Sequence, residues 1–486
     1  MAKAKSNSKK ITLEESLVPV EEQPYEVPEN WCWVKHNSIL DISGGSQPAK
    51  SHFVTEPREG YTQLYQTRDY GEHPIPVYIP NKYATKTTCE GDILLARYGG
   101  SLGKVFRAHD GAYNVALAKV IKIYPELIDD EFLYKYYLSQ FYQNFCIKAS
   151  NGRSAQAGFN RDDMNSLPFP LPPLAEQKRI VEQIENLFAK LDEAREKAQE
   201  ILDTFNDRKA AILYKAFQGN LTKQWRKEHS DISAIEYLRK IEKSGEDFSK
   251  KEFKFWESNE LPKTWAESKI GNLLYFAGRI GWKGLKADEY TEEGPLLLSV
   301  YNLNDGDEVS YNRVYHITTE RYEESPEIMV EIGDVLLTKD GAGIGKLGYV
   351  KELPQEATIN SSLLLIRPGN TAISKYIFYL LSGPELQSIV KERITGSATP
   401  HLFQRDIKEF TIPIPPLEEQ EEIVRILDDV LEKEKIAYES VENVISQIEL
   451  MKKSILAKAF RGELGTNNPE EESSSELLKS IIEGEE

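Results

Sequence analysis

Cysteine is scarce in this chain of 486 residues: three residues, Cys32, Cys89 and Cys146, all in the first half. No Cys-x-x-Cys pair and no Cys/His cluster at ligand spacing occurs. That argues against a zinc site and for reduced thiols in a cytoplasmic protein. Histidine is sparse too, with seven scattered residues. No run of roughly eighteen apolar residues exists, so no membrane-spanning helix is available. Met1 to Lys10 is polar and lysine-rich with no apolar stretch behind it, unlike a signal peptide.

Positive charge is in deficit overall, at a net −18, which on its own argues against a polyanionic partner. The distribution matters more than the sum. Glu463 to Glu486 alone carries −7 and Leu417 to Phe460 carries −5, whereas Asn30 to Pro170 carries +1. The acidity belongs mainly to the C-terminal part, and a basic face on the first globular block is compatible with it.

What the chain does contain is a duplication. Trp31 recurs as Trp265, each at the end of a Pro-x-x-Trp entry to its block. Gly91-Asp92-Ile93-Leu94-Leu95 recurs as Gly333-Asp334-Val335-Leu336-Leu337. Phe159-Asn160-Arg161-Asp162 recurs as Phe403-Gln404-Arg405-Asp406. Pro172-Pro173-Leu174-Ala175-Glu176-Gln177 recurs as Pro415-Pro416-Leu417-Glu418-Glu419-Gln420, and Ala216-Phe217-Gln218-Gly219 as Ala459-Phe460-Arg461-Gly462. The chain divides into an arm (1–26), a globular block (27–171), a long helix (172–220), a charged connector (221–260), a second block (261–414), a second long helix (415–462) and an acidic tail (463–486). The arm reads as disordered. The connector reads as partly helical and solvated, with Trp225 and Trp256 as docking points. Leu477-Leu478 and Ile481-Ile482 give the tail a short amphipathic helix.

Each block reads as mixed α and β. Strand-like runs are Tyr113–Leu117, Ala118–Ile123, Gly333–Thr338 and Ser362–Arg367, followed by single helices at Asp130–Phe145 and Ser374–Arg393. The long helices start cleanly because Pro172-Pro173 and Pro415-Pro416 cannot continue a helix backwards. Their apolar positions step by four and three, a heptad seam. The first runs Ile180, Ile184, Leu187, Leu191, Ala194, Ala198, Ile201, Phe205 and Ile212, with Arg208 in the remaining slot. The second runs Ile423, Leu427, Val430, Glu434, Ala437, Val441, Val444, Ile448, Met451 and Ile455. One reading lays each helix on its own domain; two in-phase copies in one chain favour pairing with each other. A twofold relation between the repeats makes the pair antiparallel. An axis midway between Leu191 and Arg208 sets Arg208 opposite Glu434 and Leu191 opposite Met451, so the seam charge is paired.

A globular block, a Pro-Leu-x-Glu-Gln helix start and an Ala-Phe-x-Gly helix end, all repeated, resemble the specificity subunit of type I restriction–modification systems. Pro168–Leu174, Pro413–Leu417 and Leu221-Thr222-Lys223-Gln224-Trp225-Arg226 are similar to that family's signatures, and the match covers roughly residues 27–465. The resemblance implies an α+β fold: two α/β target-recognition domains separated by two long helices in an antiparallel coiled coil. It also implies double-stranded DNA as ligand, one domain per half of a split site, with two methyltransferase subunits and restriction subunits as partners. S-adenosylmethionine would sit on the methyltransferases, with no cofactor in this chain. The Asn/Asp-Pro-Pro-Tyr/Phe motif of amino-methyltransferases is missing, since both Pro-Pro pairs precede Leu, and no nuclease or metal constellation is present. A methyltransferase or nuclease in this same chain and a coiled-coil scaffold that binds no DNA are the alternatives.

Three pairs of loops are candidate DNA contacts. Arg97-Tyr98-Gly99-Gly100-Ser101-Leu102-Gly103-Lys104 and Lys339–Lys346 follow a strand and hold Gly-Lys. Val105 and Leu347 stand where a P-loop needs Ser or Thr, so hairpin turns are expected, with or without phosphate contact. Arg97 has the fork that suits guanine. Arg153, Ser154 and Gln156 match Ser397, Thr399 and His401 in polar loops that suit base edges or plain turns. After the first strand come Gln47 in one block and Arg279, Trp282 and Lys283 in the other, with Tyr65-Gln66 and Tyr301-Asn302 at comparable later places.

Overall fold

The structure is a computed structural model that describes residues 11–151, 158–165, 167–244, 254–279, 285, 289–304, 307–341, 343–395 and 401–484. The chain forms two units, one from the residues up to Gln199 with Glu442–Glu486, the other from Glu200–Val441. Each unit therefore holds one globular block and parts of both long helices.

In the first unit, strand Cys32–Lys35 pairs antiparallel with Pro168–Leu171, which stitches the two ends of the block together. A four-stranded antiparallel sheet has the order Leu40–Gly44, Leu117–Lys122, Ile93–Ala96, Val105–Arg107. Its inner strand Ile93–Ala96 is apolar throughout because both faces are covered. Ile93 and Leu95 join the main core with Phe132, Tyr136, Ile180 and Ile184, while Leu94 and Ala96 pack with Ala108, Tyr113 and Leu117 on the other side. A second sheet orders Tyr78–Pro80, Tyr61–Tyr65, Gly111–Tyr113 and Thr87–Thr88.

The second unit repeats the plan. Ala266–Lys269 pairs with Thr411–Ile414. The four-stranded sheet runs Tyr275–Ala277, Leu363–Arg367, Val335–Thr338, Leu347–Tyr349, and a smaller one Tyr315–His316, Thr291–Leu298, Ala357–Ile359. The helical stretch after each sheet is two helices, not one. Asp130–Leu138 and Gln140–Asn151 are separated by the extended Ser139 (φ −69°, ψ 153°), and Ser374–Leu381 and Pro384–Thr395 by Ser382-Gly383, where Pro384 opens a new helix.

The Pro-Pro-Leu-x-Glu-Gln motif has the same role in both units. Glu176 and Glu419 are fully buried. Trp31 Nε1 donates to Glu176 Oε2 at 2.7 Å, and Trp265 Nε1 to Glu419 Oε2 at 2.8 Å. Gln177 accepts from the Asp129 N–H at 2.9 Å and Gln420 from the Ile373 N–H at 2.8 Å, fixing the start of the helix that follows the sheet. Their amides donate back to Pro172 and Pro415 carbonyls. Each buried polar atom thus replaces a lost water contact with a protein one. At the far helix ends, Gly219 (φ +68°) and Gly462 (φ +74°) close the last turn, and a Cβ there would come within 2.6 Å of Pro262 and 2.4 Å of Pro28.

The long helices run antiparallel within each unit. In the first, Asp192 meets Lys452, and Arg195 Nη1 meets Glu449 Oε1 at 3.0 Å. In the second, Phe205 packs on Tyr438 at 4.7 Å, and Arg208 Nε donates to Glu434 Oε2 at 3.0 Å, the pairing expected from the heptad register. The second spacer helix is continuous over Leu417–Ala459, whereas the first is interrupted at Thr204 between Leu174–Asp203 and Phe205–Phe217. Thr204 Oγ1 and Arg208 Nη1 both donate to the Ile201 carbonyl, at 3.0 and 3.1 Å, in place of the regular helical ladder.

The seam expectation needs correcting at five positions, two of them the exposed Ala194 and Ala437. Ile201, Val444 and Met451 are about half exposed, at 47, 48 and 50%. Ile201 lies in the last turn before the interruption at Thr204. Near Met451, Lys452 covers Phe188 with its ammonium 5.2 Å from the ring centre and bonds Asp192. Ile180, Ile184, Ile423, Leu427 and Ile448 are buried, and Leu187, Leu191, Phe205, Ile212, Val430, Val441 and Ile455 are partly so.

The arm and the connector, read as disordered and solvated, instead pack on their units, and the tail forms the short amphipathic helix expected of it. Residues 11–25 include a capped turn Leu13–Ser16, a bridge from Leu17 to Val34 and the buried Val18. The connector helix Ala234–Ser244 buries Ala234, Ile235, Leu238 and Ile241 in the second core. Trp225 stacks on His229 at 4.1 Å, and Trp256 stays 39% exposed. The tail helix Ser474–Glu483 buries Leu478 and Ile482 in the first core. It occupies the place the connector helix holds in the second: Ser474 N donates to Asn30 O, as Ala234 N donates to Thr264 O. In the connector the charge density hid a one-sided apolar stripe.

Candidate nucleic-acid interface

The two glycine loops are hairpin turns between antiparallel strands. Gly103 (φ +82°) donates to the Ala96 carbonyl at 3.2 Å and Gly345 (φ +87°) to Thr338 at 2.9 Å, closing the same turn in both units. A strand, not a helix, follows each, so neither forms the helix N-terminus that a P-loop needs.

The loops predicted separately converge at one end of each four-stranded sheet. In the first unit, the Phe159 N–H donates to Arg97 O at 3.2 Å and Tyr98 bridges to Gly158. Arg97 Nη2 donates to Tyr98 OH at 2.8 Å, and its guanidinium carbon lies 4.9 Å from the centre of the Tyr98 ring. A Cβ on Gly44 would stand 2.7 Å from Arg97 Nη1, so a side chain there would push the guanidinium aside. In the second unit, Leu402 N donates to Lys339 O, Asp340 bridges to His401, and Lys339 Nζ donates to Asp340 Oδ2 at 2.5 Å. His401 Nδ1 bonds Asp340 Oδ1. The frame is shared, while the side chains it presents differ: Arg-Tyr in one unit, Lys-Asp with His in the other.

A cleft of about 400 Å³ opens beside Arg97, lined by Asp41, Ser43, Gly44, Lys86 and Arg161 among others. Lys86 Nζ donates to Ser43 Oγ at 3.0 Å. Arg161 donates to Asp41 through Nε at 2.7 Å and Nη2 at 2.5 Å. Three cations and one carboxylate make this a local positive basin in an acidic chain, suited to phosphate and base edges.

Not every candidate residue sits in such a place. Arg279 is buried, with Nε donating to Ile359 O at 3.0 Å and Nη2 to Thr358 Oγ1 at 3.2 Å, so it braces the second core. Asn302 is 1% exposed and ties its own loop together through Ser299, Ser310 and Arg313 backbone groups. Gln66 caps the turn Thr67–Tyr70, its N–H on Asp69 Oδ2 at 2.7 Å. Tyr65 belongs to an aromatic group with Tyr70 and His109. Arg279 and Asn302 are thus structural placements inside the fold, whereas Tyr65 and Gln66 are only partly buried. Gln47, Lys104 and Tyr301 are exposed, and exposed Lys346 donates to Asn304 Oδ1 at 2.5 Å. Arg153, Ser154, Gln156, Trp282, Lys283, Ser397 and Thr399 lie outside the described residues.

Sequence reasoning missed Asp41, Lys86 and Arg161 as candidates. The signal for Arg161 was available, because an arginine stands two residues after the repeated phenylalanine in both halves, as Arg161 and Arg405. Nothing local marks Asp41 or Lys86; only the folded sheet brings them to the same cleft. Among the described residues no His, Cys, Asp and Glu cluster suited to a metal ion is found, and no helix is long and apolar enough to cross a membrane.

Comparison with known proteins places this arrangement. The specificity subunit of the type I restriction enzyme EcoBI from Escherichia coli is 26% identical over 471 residues, covering 94% of this chain and 92% of that subunit. A chain from a structure titled for the assembly and conformational transition of the type I restriction–modification system is 20% identical. It covers 90% of this chain and 100% of its own length, with a TM-score of 0.65. The HsdS subunit of Thermoanaerobacter tengcongensis is also 20% identical, with 91% and 100% coverage and a TM-score of 0.54. The family model described as type I restriction modification DNA specificity domain matches twice, over residues 28–202 and 262–449, and the chain belongs to that family as a non-catalytic DNA specificity subunit.

Proposed function

We propose that each unit reads one half of a split DNA site through its own loop cluster, and that the helices between them define a gap read by neither. One observation carries this: two copies of one frame, locked by the same Trp–Glu and Gln–backbone contacts, present different side chains at the same loop positions. A scaffold binding two copies of one protein would need no such divergence.

Two methyltransferase subunits, each binding S-adenosylmethionine, dock on this chain, and restriction subunits complete the assembly. This chain supplies the address and the other subunits the chemistry. Deleting the gene from its host and sequencing the methylated bases tests the reading. Loss of one split adenine-methylation motif is expected; an unchanged methylation pattern would overturn it.

A further inference from the structure

The Asp41–Arg161 pair has a geometry that a simple surface staple does not require. Asp41 accepts three N–H groups: Arg161 Nε and Nη2, and the Ile42 backbone N–H at 2.7 Å. The carboxylate is thus held by its own strand and in turn fixes the plane of the guanidinium. Side-on pairing through Nε and Nη2 leaves the opposite edge, Nη1 and the second Nη2 hydrogen, as an open fork. That side chain is 66% exposed and lines the cleft it shares with Lys86 and Arg97.

The repeat separates the arginine from Asp41, since Arg405 Nε lies 3.8 Å from its own neighbour Asp406 instead. Arg405 occupies the corresponding place in the second unit, 79% exposed, with its guanidinium 4.8 Å from the Phe403 ring. Tyr275 stands there on the strand where the first unit has Asp41. An arginine retained in both units while the acid is present in one is not explained by an exposed ion pair, which stabilises a fold by about 1 kcal/mol at most.

We propose that Arg161 is a specificity-determining residue of the first recognition domain, pairing through its open edge with O6 and N7 of a guanine, and that Asp41 is its positioning residue. A planar fork matches that acceptor pair, and holding it rigid beforehand removes the ordering cost of binding. Lys86 and Arg97 flank the fork on the same cleft. The inference rests on the DNA-reading function proposed above.

The test uses the full chain with its methyltransferase subunits and the split motif first established by methylation sequencing of the unaltered complex. R161A, R161K and D41N complexes are then assayed on sites varied one base pair at a time. R161A is expected to weaken binding about ten- to a hundredfold, and the loss should vanish when one particular G·C pair of the first half-site is replaced. R161K should retain the charge yet lose most discrimination at that pair, because an ammonium lacks the fork. D41N should lose part of it, with binding to that replaced site unchanged. A uniform weakening over all site variants, or no change in discrimination, overturns the proposal. An unaltered complex with no split motif would instead sink the underlying function.

Discussion

Arg208 makes three contacts at once: Nε on Glu434 of the antiparallel spacer helix, and Nη1 on the Ile201 carbonyl and the Thr204 hydroxyl at the interruption of its own helix. A charged residue in an apolar seam is thereby both paired and put to use closing a break. Replacing both partners with leucine removes two partly desolvated charges from a packed seam. R208L/E434L should be as stable as the natural chain or slightly more so, while R208L alone should lose about 1–2 kcal/mol by leaving Glu434 unpaired. Urea unfolding of the three proteins measures both.

The two buried glutamates differ in what they hold. Glu176 accepts from neutral donors, Trp31, Asn467 and Thr466, whereas Glu419 also binds the Arg226 guanidinium. E419Q should therefore cost more than E176Q, by about 2 kcal/mol, since it strands a largely buried cation. Chemical denaturation of both variants gives the difference; equal losses would contradict this assignment.

His36 is buried with Nε2 2.7 Å from the Tyr137 hydroxyl, and burial lowers its pKa to about 3. Its unfolded value is about 6.5. Between these values the unfolded chain binds a proton that the folded one refuses. The stability this group contributes is present above about pH 6.5 and declines as pH falls, by about 1.4 kcal/mol per pH unit. The difference in unfolding free energy between H36Q and the natural chain, followed from pH 7.5 to 5, should shift in favour of H36Q as pH drops.

Gly462 and Gly91 share a positive φ but not their surroundings. A Cβ on Gly462 would stand 2.4 Å from Pro28, whereas nothing lies within 4 Å at Gly91. G91A should cost about 1 kcal/mol from backbone strain alone, and G462A more, because packing strain adds to it. Thermal unfolding ranks the two.

The duplication, the antiparallel register and the hairpin nature of the glycine loops were legible in the sequence because each rests on spacing. Repeats, heptads and the residue after Gly-Lys are all local or periodic signals. The Asp41–Arg161–Lys86 cleft was not legible, since its residues are up to 120 positions apart and no pattern links them before the sheet forms. Arg279 and Asn302 misled for a related reason: residue type alone does not tell a DNA-facing guanidinium or amide from one satisfying a core. The connector helix was underestimated because Glu and Lys counts outweigh four buried apolar residues in composition but not in packing energy.

The central claim is that each unit reads its own half-site. Exchanging residues 27–171 for the same block of another specificity chain and sequencing the methylated motif of the resulting complex tests it most directly. The first half of the motif should become the donor's, with the second half and the gap unchanged; a motif altered in both halves, or in neither, would contradict the account.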